Sequence, residues 1–395
     1  MTSVQPSRSD HSDLGKKMSK HFDAIVLGAG AMGSASAYHL ARAGQKVLLL
    51  EQFEFDHQKG SSYGLSRIIR YAYDYPQYVE LAKAVYPMWD EFEQEAGQTL
   101  YTRTGGIDFG TPDQPGLKAI ENCLAGANVP FEKLSSTEAS KRFPQFRFDE
   151  DMIVLYQADT GILAASDCIR AHLRLAEKHG AVLQSNTPII EIVPRPNQVT
   201  VRTAAETYTA ERIIITAGSW AKSVLAELGL ILPLTPRRCQ EMYFTTTNPA
   251  AYEADQFPAF IGHVGAPYPW MTYGIASRQN SGVKVAWHGG QDVNHPSEID
   301  YTPSQQESDD ILKFTNRYLP EVMSLKSSRV CLYTMTPDEH WIIDRHPEFP
   351  HIVFGGGCSG HSFKFSTIIG KILTQLALQG STEYDISLFK IERFL

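Results

Sequence analysis

The chain has 395 residues, of which 43% are hydrophobic and 20% are charged. A single hydrophobic core rarely grows beyond about 250 to 300 residues, so this length predicts two domains. The formal net charge of -8 argues against nucleic acid as a partner, because proteins that bind it usually carry a basic face. No stretch approaches the roughly 18 apolar residues of a membrane-spanning helix, so we expect small-molecule partners and no membrane.

The cysteines and the two termini bear on metal content and location. The five cysteines are scattered along the chain without CxxC spacing. This pattern argues against a zinc site or a disulfide framework, so we expect no metal and a reducing compartment. Residues 1–21 are polar and lack the apolar segment of a secretory signal, which predicts a disordered tail. The chain ends in Arg-Phe-Leu rather than a Ser-Lys-Leu type of address, which favours a cytoplasmic location.

The first regular pattern begins at Phe22. The apolar run FDAIVL is followed by GAGAMG, by a segment with helical spacing and by a second apolar run, KVLLLE, which together indicate a βαβ unit. Gly28, Gly30 and Gly33 form a GxGxxG motif between the strand and the helix, and Glu51 ends the second strand. Glycines allow a tight turn, the helix N-terminus faces a pyrophosphate, and an acidic residue accepts ribose hydroxyls. The motif predicts a Rossmann-like dinucleotide site, with a purely structural glycine turn as the alternative.

The rest of the chain alternates between helical and strand patterns. Helical spacing predicts helices over residues 78–95, 166–180 and 365–378, and apolar or alternating segments predict strands over 188–193, 198–203 and 212–216. Residues 236–325 are aromatic-rich, broken by Pro and Gly, and favour an antiparallel sheet. We therefore predict an α/β fold with a second, largely antiparallel-sheet substrate domain. The predicted nucleotide-binding domain is discontinuous and comprises 22–97, 156–235 and 326–395, and the substrate domain comprises 98–155 and 236–325.

Three further segments carry a family resemblance. They are GSSYGLSRIIRYAY at 60–73, RVCLYTMTPDEHWIID at 329–344 and GGGCSGHSFKFS at 355–366. Each resembles a flavin-contacting segment of the monomeric sarcosine oxidase and N-methyl amino acid oxidase family, within the D-amino acid oxidase superfamily. The resemblance runs from about Phe22 to Phe389. It implies FAD rather than a nicotinamide, a monomeric enzyme, and oxidation of a small amino acid with oxygen as acceptor.

The resemblance also implies which residues bind FAD. It places Cys331 at the family's cysteine that bonds through sulfur to the 8α-methyl carbon of the flavin, whereas composition alone favours an inert core cysteine. The implied cofactor contacts are Gly28, Gly30, Met32, Gly33, Glu51, Ser61, Arg67, Cys331, Gly357, Gly360 and Lys364.

Two arginines carry the predicted substrate chemistry. Arg67 and Arg70 would share one face of a helical turn but would oppose each other on an extended segment, and a solvated basic stripe is the alternative. By resemblance, Arg67 lies beside the flavin, while Arg70 binds the substrate carboxylate together with Lys364. A guanidinium can hold a carboxylate bidentately, and a second cation fixes its direction.

The segment SGVKVAWHGG contains the predicted oxygen site. Lys284 alternates with Val283 and Val285, so its side chain faces either solvent or the active site. The resemblance places Lys284 at the family's oxygen-activating lysine. His288 lies four residues further on and is, with Tyr273, a predicted catalytic residue of the substrate cavity.

Two more residues are predicted to contact substrate. Tyr333 follows Cys331 by two positions and therefore shares its strand face. Trp270 lies in the segment 262–272, which is a few residues longer than its counterpart in the family and also carries Tyr268. The sequence leaves open whether this loop narrows or widens the pocket.

The resemblance implies an oxidase that converts sarcosine or another N-methyl amino acid to the primary amino acid, formaldehyde and hydrogen peroxide. An oxidase of cyclic imino acids, such as pipecolate or proline, is the nearest alternative. A dehydrogenase that passes electrons to a quinone or a protein and a non-catalytic nucleotide-binding protein are the more distant alternatives.

Overall fold

The computed structural model describes residues 20–395. The predicted tail, residues 1–21, lies almost entirely outside the described residues, and its last two residues, Lys20 and His21, begin the first strand. Within residues 20–395, no helix combines the length and the apolar character needed to cross a lipid bilayer.

The strands are numbered in chain order. They are β1 (Lys20–Leu27), β2 (Val47–Leu50), β3 (Arg67–Ile69), β4 (Tyr101–Arg103), β5 (Gly106–Gly110), β6 (Glu132–Ser135), β7 (Ile153–Gln157), β8 (Gly161–Leu163), β9 (Val182–Gln184), β10 (Ile189–Arg195), β11 (Gln198–Thr203), β12 (Thr207–Ile215), β13 (Thr235–Thr246), β14 (Ala259–His263), β15 (Thr272–Ile275), β16 (Val283–Trp287), β17 (Gln291–Asp292), β18 (Val322–Met335), β19 (Ile342–Arg345) and β20 (Ile352–Gly356). The α-helices are α1 (Ala31–Arg42), α2 (Pro76–Ala96), α3 (Pro115–Gly126), α4 (Ser136–Arg142), α5 (Ala165–Lys178), α6 (Ala221–Glu227), α7 (Gln305–Tyr318) and α8 (Ser366–Gln379).

The first large sheet has a parallel centre. Its strands run in the order β10-β11-β12-β1-β2-β9, with β20 beside β12 and β19 beside β20. β1 pairs in parallel with both β2 and β12, and β12 pairs in parallel with β20. Strand β2 is buried along its whole length, as expected for a parallel strand covered on both faces. The predicted Rossmann-like α/β unit is confirmed, with α1 between β1 and β2.

The second large sheet is almost entirely antiparallel. Its order is β17-β13-β16-β15-β14-β5-β7-β6, with β18 beside β13, and the β14–β5 pairing is parallel. A cluster of aromatic side chains, including Phe109, Phe260 and Phe314, packs on this sheet and forms its core. A three-stranded sheet, β3-β8-β4, completes the strand pairings. The predicted second, largely antiparallel domain is confirmed as a fold feature.

The predicted domain bounds cut two strands. The bound between 155 and 156 falls inside β7, and the bound between 325 and 326 falls inside β18. β18 pairs with β13 from Val322 to Met335, so Cys331 lies on the second sheet rather than in the segment that closes the first domain. The predicted bounds follow changes in local composition, whereas a strand continues as long as its neighbouring strand offers hydrogen bonds. The exact division into domains stays a prediction.

Candidate active site

A cavity of about 730 Å³ is lined by residues of both large sheets. The glycine turn after β1 and Glu51 contribute to its wall, and so do Arg70, His288 and Lys364. A cavity of this size, with a few polar groups on its wall, is typical of a cofactor or substrate site.

The glycine turn is shaped for close backbone approach. Gly28 has a φ of +90°, and a Cβ there would lie 2.5 Å from the carbonyl oxygen of Thr216. A Cβ on Gly33 would lie 1.7 Å from the carbonyl oxygen of Gly28, so Gly33 allows α1 to pack on the turn, although it does not itself line the cavity. Gly30, Ala31 and Met32, at the start of α1, line the cavity, so this helix N-terminus faces it as a pyrophosphate site requires, and the backbone N–H of Ala31 donates to the Ser62 hydroxyl at 3.0 Å.

Glu51 holds the glycine turn in place. The side chain is buried, and its oxygens accept hydrogen bonds from the backbone N–H groups of Ala29 at 2.8 Å and Phe53 at 3.0 Å. Each carboxylate oxygen retains a lone pair for a ribose hydroxyl. The glycine turn and the carboxylate line the cavity and fit the adenosine diphosphate part of FAD, and Gly28, Gly30, Met32 and Glu51 would hold it there.

A buried cluster of charges forms part of the middle of the cavity. We call it the Glu241 cluster; its members are Glu241, Arg67, Lys284 and Arg329. The Oε1 atom of Glu241 lies 2.8 Å from Lys284 Nζ and 3.1 Å from Arg67 Nη1. The Oε2 atom accepts a hydrogen bond from Arg329 Nε at 3.0 Å. Three cations thus surround one carboxylate.

The Glu241 cluster shifts the titration of its members. Burial raises the pKa of Glu241, but Arg67, Lys284 and Arg329 together hold it below its ordinary value. Burial lowers the pKa of Lys284 to about 8, against the opposing attraction of Glu241. Glu241 and Arg67 line the cavity, whereas Lys284 lies behind them and is 1% exposed. Lys284 is buried and therefore does not face solvent, and its place in the active site stays a prediction.

A second group of basic side chains, Arg70 and Lys364, also lines the cavity. Lys364 Nζ donates hydrogen bonds to the Tyr73 hydroxyl at 2.7 Å and to the His361 carbonyl at 2.8 Å. No carboxylate of residues 20–395 lies within 4.0 Å of this ammonium. Burial and the neighbouring Arg70 lower the pKa of Lys364 well below its ordinary value. An anion entering here would provide the missing countercharge.

Arg70 is paired with the carboxylate of Asp108. Its Nη1 donates to Asp108 Oδ1 at 3.1 Å, and the same oxygen lies 3.0 Å from His263 Nε2. Arg70 follows β3, whose extended backbone directs Arg67 and Arg70 to different partners. The extended alternative is therefore the one observed, and a solvated stripe is excluded because both arginines are largely buried.

His288 and Tyr333 form the wall between the two cation groups. His288 follows the last residue of β16 rather than continuing the strand, and its ring centroid lies 5.5 Å from that of Tyr333. Burial lowers the pKa of His288 to about 4, so the imidazole is neutral near pH 7. Tyr273 lines the same wall, and its ring centroid lies 5.4 Å from Lys284 Nζ.

Trp270 does not line the cavity. It is 39% exposed, and its ring covers Gly289, where a Cβ would lie 2.2 Å from the indole. Tyr268 packs on Trp287 and Phe314 in the core of the second sheet. Of residues 268–271, only Met271 reaches the cavity wall. The aromatic side chains of the long loop therefore leave the pocket open.

Cys331 is buried beside the cavity rather than on its wall. It is 3% exposed and packs with Tyr63, Cys239 and Tyr333. Cys239 stands directly opposite on β13. Burial raises the pKa of the Cys331 thiol to about 12, so it carries its proton near neutral pH.

The cavity thus brings together most of the predicted site residues. Those that line it are Gly28, Gly30, Met32, Glu51, Ser61, Arg67, Arg70, Tyr273, His288, Tyr333, Gly360 and Lys364. Those that do not are Gly33, Trp270, Lys284, Cys331 and Gly357. The sequence analysis missed Glu241, Arg329, Asp108 and Tyr73. One signal could have found Glu241, because it lies two residues after Cys239 and so shares its face of a largely buried strand. The partners of Glu241 could not be found in this way, because they depend on the register between strands.

Comparisons with known proteins identify the family of the chain. The model of the DAO family, described as FAD dependent oxidoreductase, matches residues 23–376. The chain is 35% identical over 385 residues to monomeric sarcosine oxidase of Bacillus sp. (strain NS-129), covering 95% of this chain and 98% of the relative. It is 31% identical to N-methyl-L-tryptophan oxidase of Salmonella agona (strain SL483), covering 94% and 99%.

A solved structure supports the fold. NikD, described as an unusual amino acid oxidase essential for nikkomycin biosynthesis, superposes with a TM-score of 0.85 at 24% identity, covering 94% of this chain and 98% of that one. Because the family model spans most of the chain and the cavity fits its cofactor, the chain belongs to the DAO family of FAD-dependent oxidoreductases.

Proposed function

We propose that the protein is an FAD-dependent oxidase of secondary amino acids. It oxidises sarcosine or another N-methyl amino acid with oxygen, and the products are the primary amino acid, formaldehyde and hydrogen peroxide. The observation that carries this proposal is the pair of basic side chains, Arg70 and Lys364, on the wall of the cavity that the glycine turn also lines. Relatives named as sarcosine oxidase and N-methyl-L-tryptophan oxidase support the substrate class.

The substrate carboxylate binds between Arg70 and Lys364. Within residues 20–395 no carboxylate lies within 4.0 Å of Lys364 Nζ, and Arg70 uses Nη1 for Asp108, which leaves its other N–H groups for an anion. Two cations from different elements fix both the position and the direction of the carboxylate. The carbon and nitrogen to be oxidised then lie in a fixed orientation relative to the cavity wall.

The substrate amine reacts in its neutral form. The two cations and the burial of this end of the cavity both disfavour an ammonium ion. The neutral imidazole of His288 can accept a hydrogen bond from the amine N–H without contributing charge. Bound FAD supplies the acceptor for the hydride equivalent that the substrate loses, and the imine product is then hydrolysed by water.

Lys284 promotes the oxygen half of the reaction. Its ammonium lies beside the cavity wall and stabilises the negative charge that oxygen acquires with its first electron. A unit charge about 4 Å away at an effective dielectric near 20 contributes roughly 4 kcal/mol, or about a thousandfold in rate. Such a cation favours an oxidase over a dehydrogenase that uses another acceptor.

The cofactor is covalently held through Cys331 in this proposal, and the enzyme acts as a monomer in the cytoplasm. The position of Cys331 beside Tyr63, which lines the cavity, supports the attachment. We expect Cys331→Ser to release FAD on acid precipitation, whereas the parent keeps it. Cys239→Ser is the matched control, because Cys239 faces Cys331 across the strand pair. Flavin fluorescence of denatured protein bands measures both, and attachment lost only in Cys239→Ser would contradict the assignment.

Product analysis tests the reaction itself. Purified protein is incubated with sarcosine, N-methyl-L-tryptophan, pipecolate and proline, and hydrogen peroxide and formaldehyde are assayed in parallel. Peroxide together with formaldehyde from an N-methyl substrate supports the proposal. Peroxide without formaldehyde, from pipecolate or proline alone, replaces it with an oxidase of cyclic imino acids. Flavin reduction without peroxide indicates a dehydrogenase.

A further inference from the structure

Glu241 is the acidic member of the Glu241 cluster, and the proposed reaction gives it no role. Glu241 is 2% exposed, lines the cavity and is surrounded by three cations. A buried carboxylate is costly unless charged partners compensate for its lost hydration, so its position has to be explained by those partners.

We propose that Glu241 is a positioning residue for the oxygen half of the reaction, acting as the counter-ion that keeps Lys284 charged and directed at the cavity wall. This inference rests on the role of Lys284 in the proposed function. It assigns a specific task to Glu241, which neither the binding of the substrate carboxylate nor the binding of the nucleotide requires.

The two oxygens of Glu241 have different partners. Oε2 lies 3.0 Å from Arg329, which stands directly opposite Glu241 in the β13–β18 pairing, and it also accepts a hydrogen bond from the Tyr243 hydroxyl. These contacts tie two strands together and could be purely structural. Oε1 points instead to Lys284 and Arg67, which belong to β16 and β3. The Oε1 contacts are therefore the ones that a strand-pairing role leaves unexplained.

The surroundings of Lys284 contain one carboxylate. Glu241 and Tyr243 face it from β13, Tyr273 from β15, Arg67 from β3, and Arg329 and Cys331 from β18. Within residues 20–395, Glu241 is the acidic group within 4.0 Å of its Nζ. The distance of 2.8 Å is short, but the angle is poor for a hydrogen bond, so the attraction is chiefly between the two charges.

Removal of the Glu241 charge should neutralise Lys284. Burial and the positive charge of Arg67 both lower the pKa of Lys284, and Glu241 opposes them. A Glu241→Gln side chain has nearly the same shape and still accepts hydrogen bonds, but it no longer attracts the ammonium. The pKa of Lys284 then falls further, so that the lysine carries a charge only at more acidic pH.

The test measures the oxygen step alone. Each holoenzyme is reduced with dithionite under anaerobic conditions and mixed with oxygen at a series of pH values. In the parent, the reoxidation rate falls as the pH rises through about 8, where Lys284 loses its proton. In Glu241→Gln, we expect this inflection to move to lower pH by more than about one unit, with recovery of the rate at acidic pH.

A second readout needs no turnover. The visible absorbance of the oxidised flavin in the resting enzyme responds to the charge beside it, and its pH titration should show the same shift in Glu241→Gln. Lys284→Met should lack the inflection in both measurements. Glu307→Gln is the matched control. Glu307, on α7, pairs with Arg238, which lies on β13 like Glu241, and neither residue lines the cavity, so the inflection should stay in place.

The outcomes separate this inference from the proposed function. Dithionite reduction needs no amino acid, so failure to oxidise sarcosine or its relatives does not affect the result. An inflection at the parental pH in Glu241→Gln, in both the reoxidation rate and the absorbance, overturns the inference and leaves Glu241 as a strand-pairing residue. A reoxidation rate that stays low at every pH also overturns it, since recovery at acidic pH is its specific consequence.

Discussion

Two buried lysines flank the same cavity, and they differ in their countercharge. Lys284 lies 2.8 Å from the carboxylate of Glu241, whereas Lys364 is held by a phenol and a backbone carbonyl. Burial lowers the pKa of both lysines, but among the carboxylates of residues 20–395 only Glu241 lies within 4.0 Å of either ammonium, and it opposes the shift at Lys284. A lysine with its own counter-ion can keep its charge through a catalytic cycle. A lysine without one is suited to receive a charged ligand.

Removal of the charge on Lys284 is the strongest test of this difference. We expect Lys284→Met to slow reoxidation of dithionite-reduced enzyme by about a thousandfold, because the charge that stabilises reduced oxygen is lost. The rate at which substrate reduces the flavin should change little. Stopped-flow absorbance measures both rates, and equal slowing of the two would show that Lys284 does not act on oxygen specifically.

The corresponding change at Lys364 should affect the other half of the reaction. Lys364→Met removes a charge-assisted contact with the substrate carboxylate, which contributes roughly 1.5 to 3 kcal/mol, so we expect kcat/KM to fall by about ten- to a hundredfold. Steady-state kinetics with the N-methyl substrate measure this loss. Reoxidation of the reduced variant by oxygen is the control and should keep the parental rate.

The pH dependence of carboxylate binding sharpens the comparison. In the free enzyme, burial and the neighbouring Arg70 lower the pKa of Lys364 well below its ordinary value, and the negative charge of a bound anion opposes that shift. Binding of acetate should therefore take up a proton, and its Kd should rise by about tenfold per pH unit where free Lys364 is neutral.

Flavin absorbance titrated with acetate between pH 6 and 9 measures this dependence. The dependence should persist in Lys284→Met and disappear in Lys364→Met. A Kd that stays constant across this range, without proton uptake, would show that Lys364 is already charged in the free enzyme.

A smaller effect is expected at Asp108. Asp108 orients Arg70 through Nη1, and Asp108→Asn keeps an acceptor oxygen but removes the charge. We expect KM for the amino acid to rise by up to about tenfold with little change in kcat, since the guanidinium is less well fixed but still present. Asp149→Asn is the control, because Asp149 forms a surface ion pair with Arg317. A fall in kcat at unchanged KM would argue against a binding role.

The sequence predicted the fold better than it predicted the charge network. The GxGxxG turn, the βαβ unit and the antiparallel second sheet follow from local periodicity and glycine spacing, and the structure confirms them. Arg67, Arg70 and Lys364 were singled out from their motifs, and they do line one cavity.

The partners of these cations could not be predicted in the same way. Glu241 meets Lys284 because β13 pairs with β16, and it meets Arg329 because β13 also pairs with β18. Asp108 meets Arg70 across 38 residues of sequence. Such contacts depend on strand register between distant segments, which no local pattern encodes. Trp270 was predicted to contact substrate, but its ring packs instead on Gly289, which has no side chain to keep it away. This contact also joins two segments that no local pattern relates.

The division of labour between the two lysines can be tested in a single two-step experiment. The parent, Lys364→Met and Lys284→Met are each mixed anaerobically with the N-methyl amino acid and, after flavin reduction, with oxygen. The account predicts that Lys364→Met slows only the first step and that Lys284→Met slows only the second. If both variants slow the same step, the assignment of one lysine to substrate and the other to oxygen is wrong.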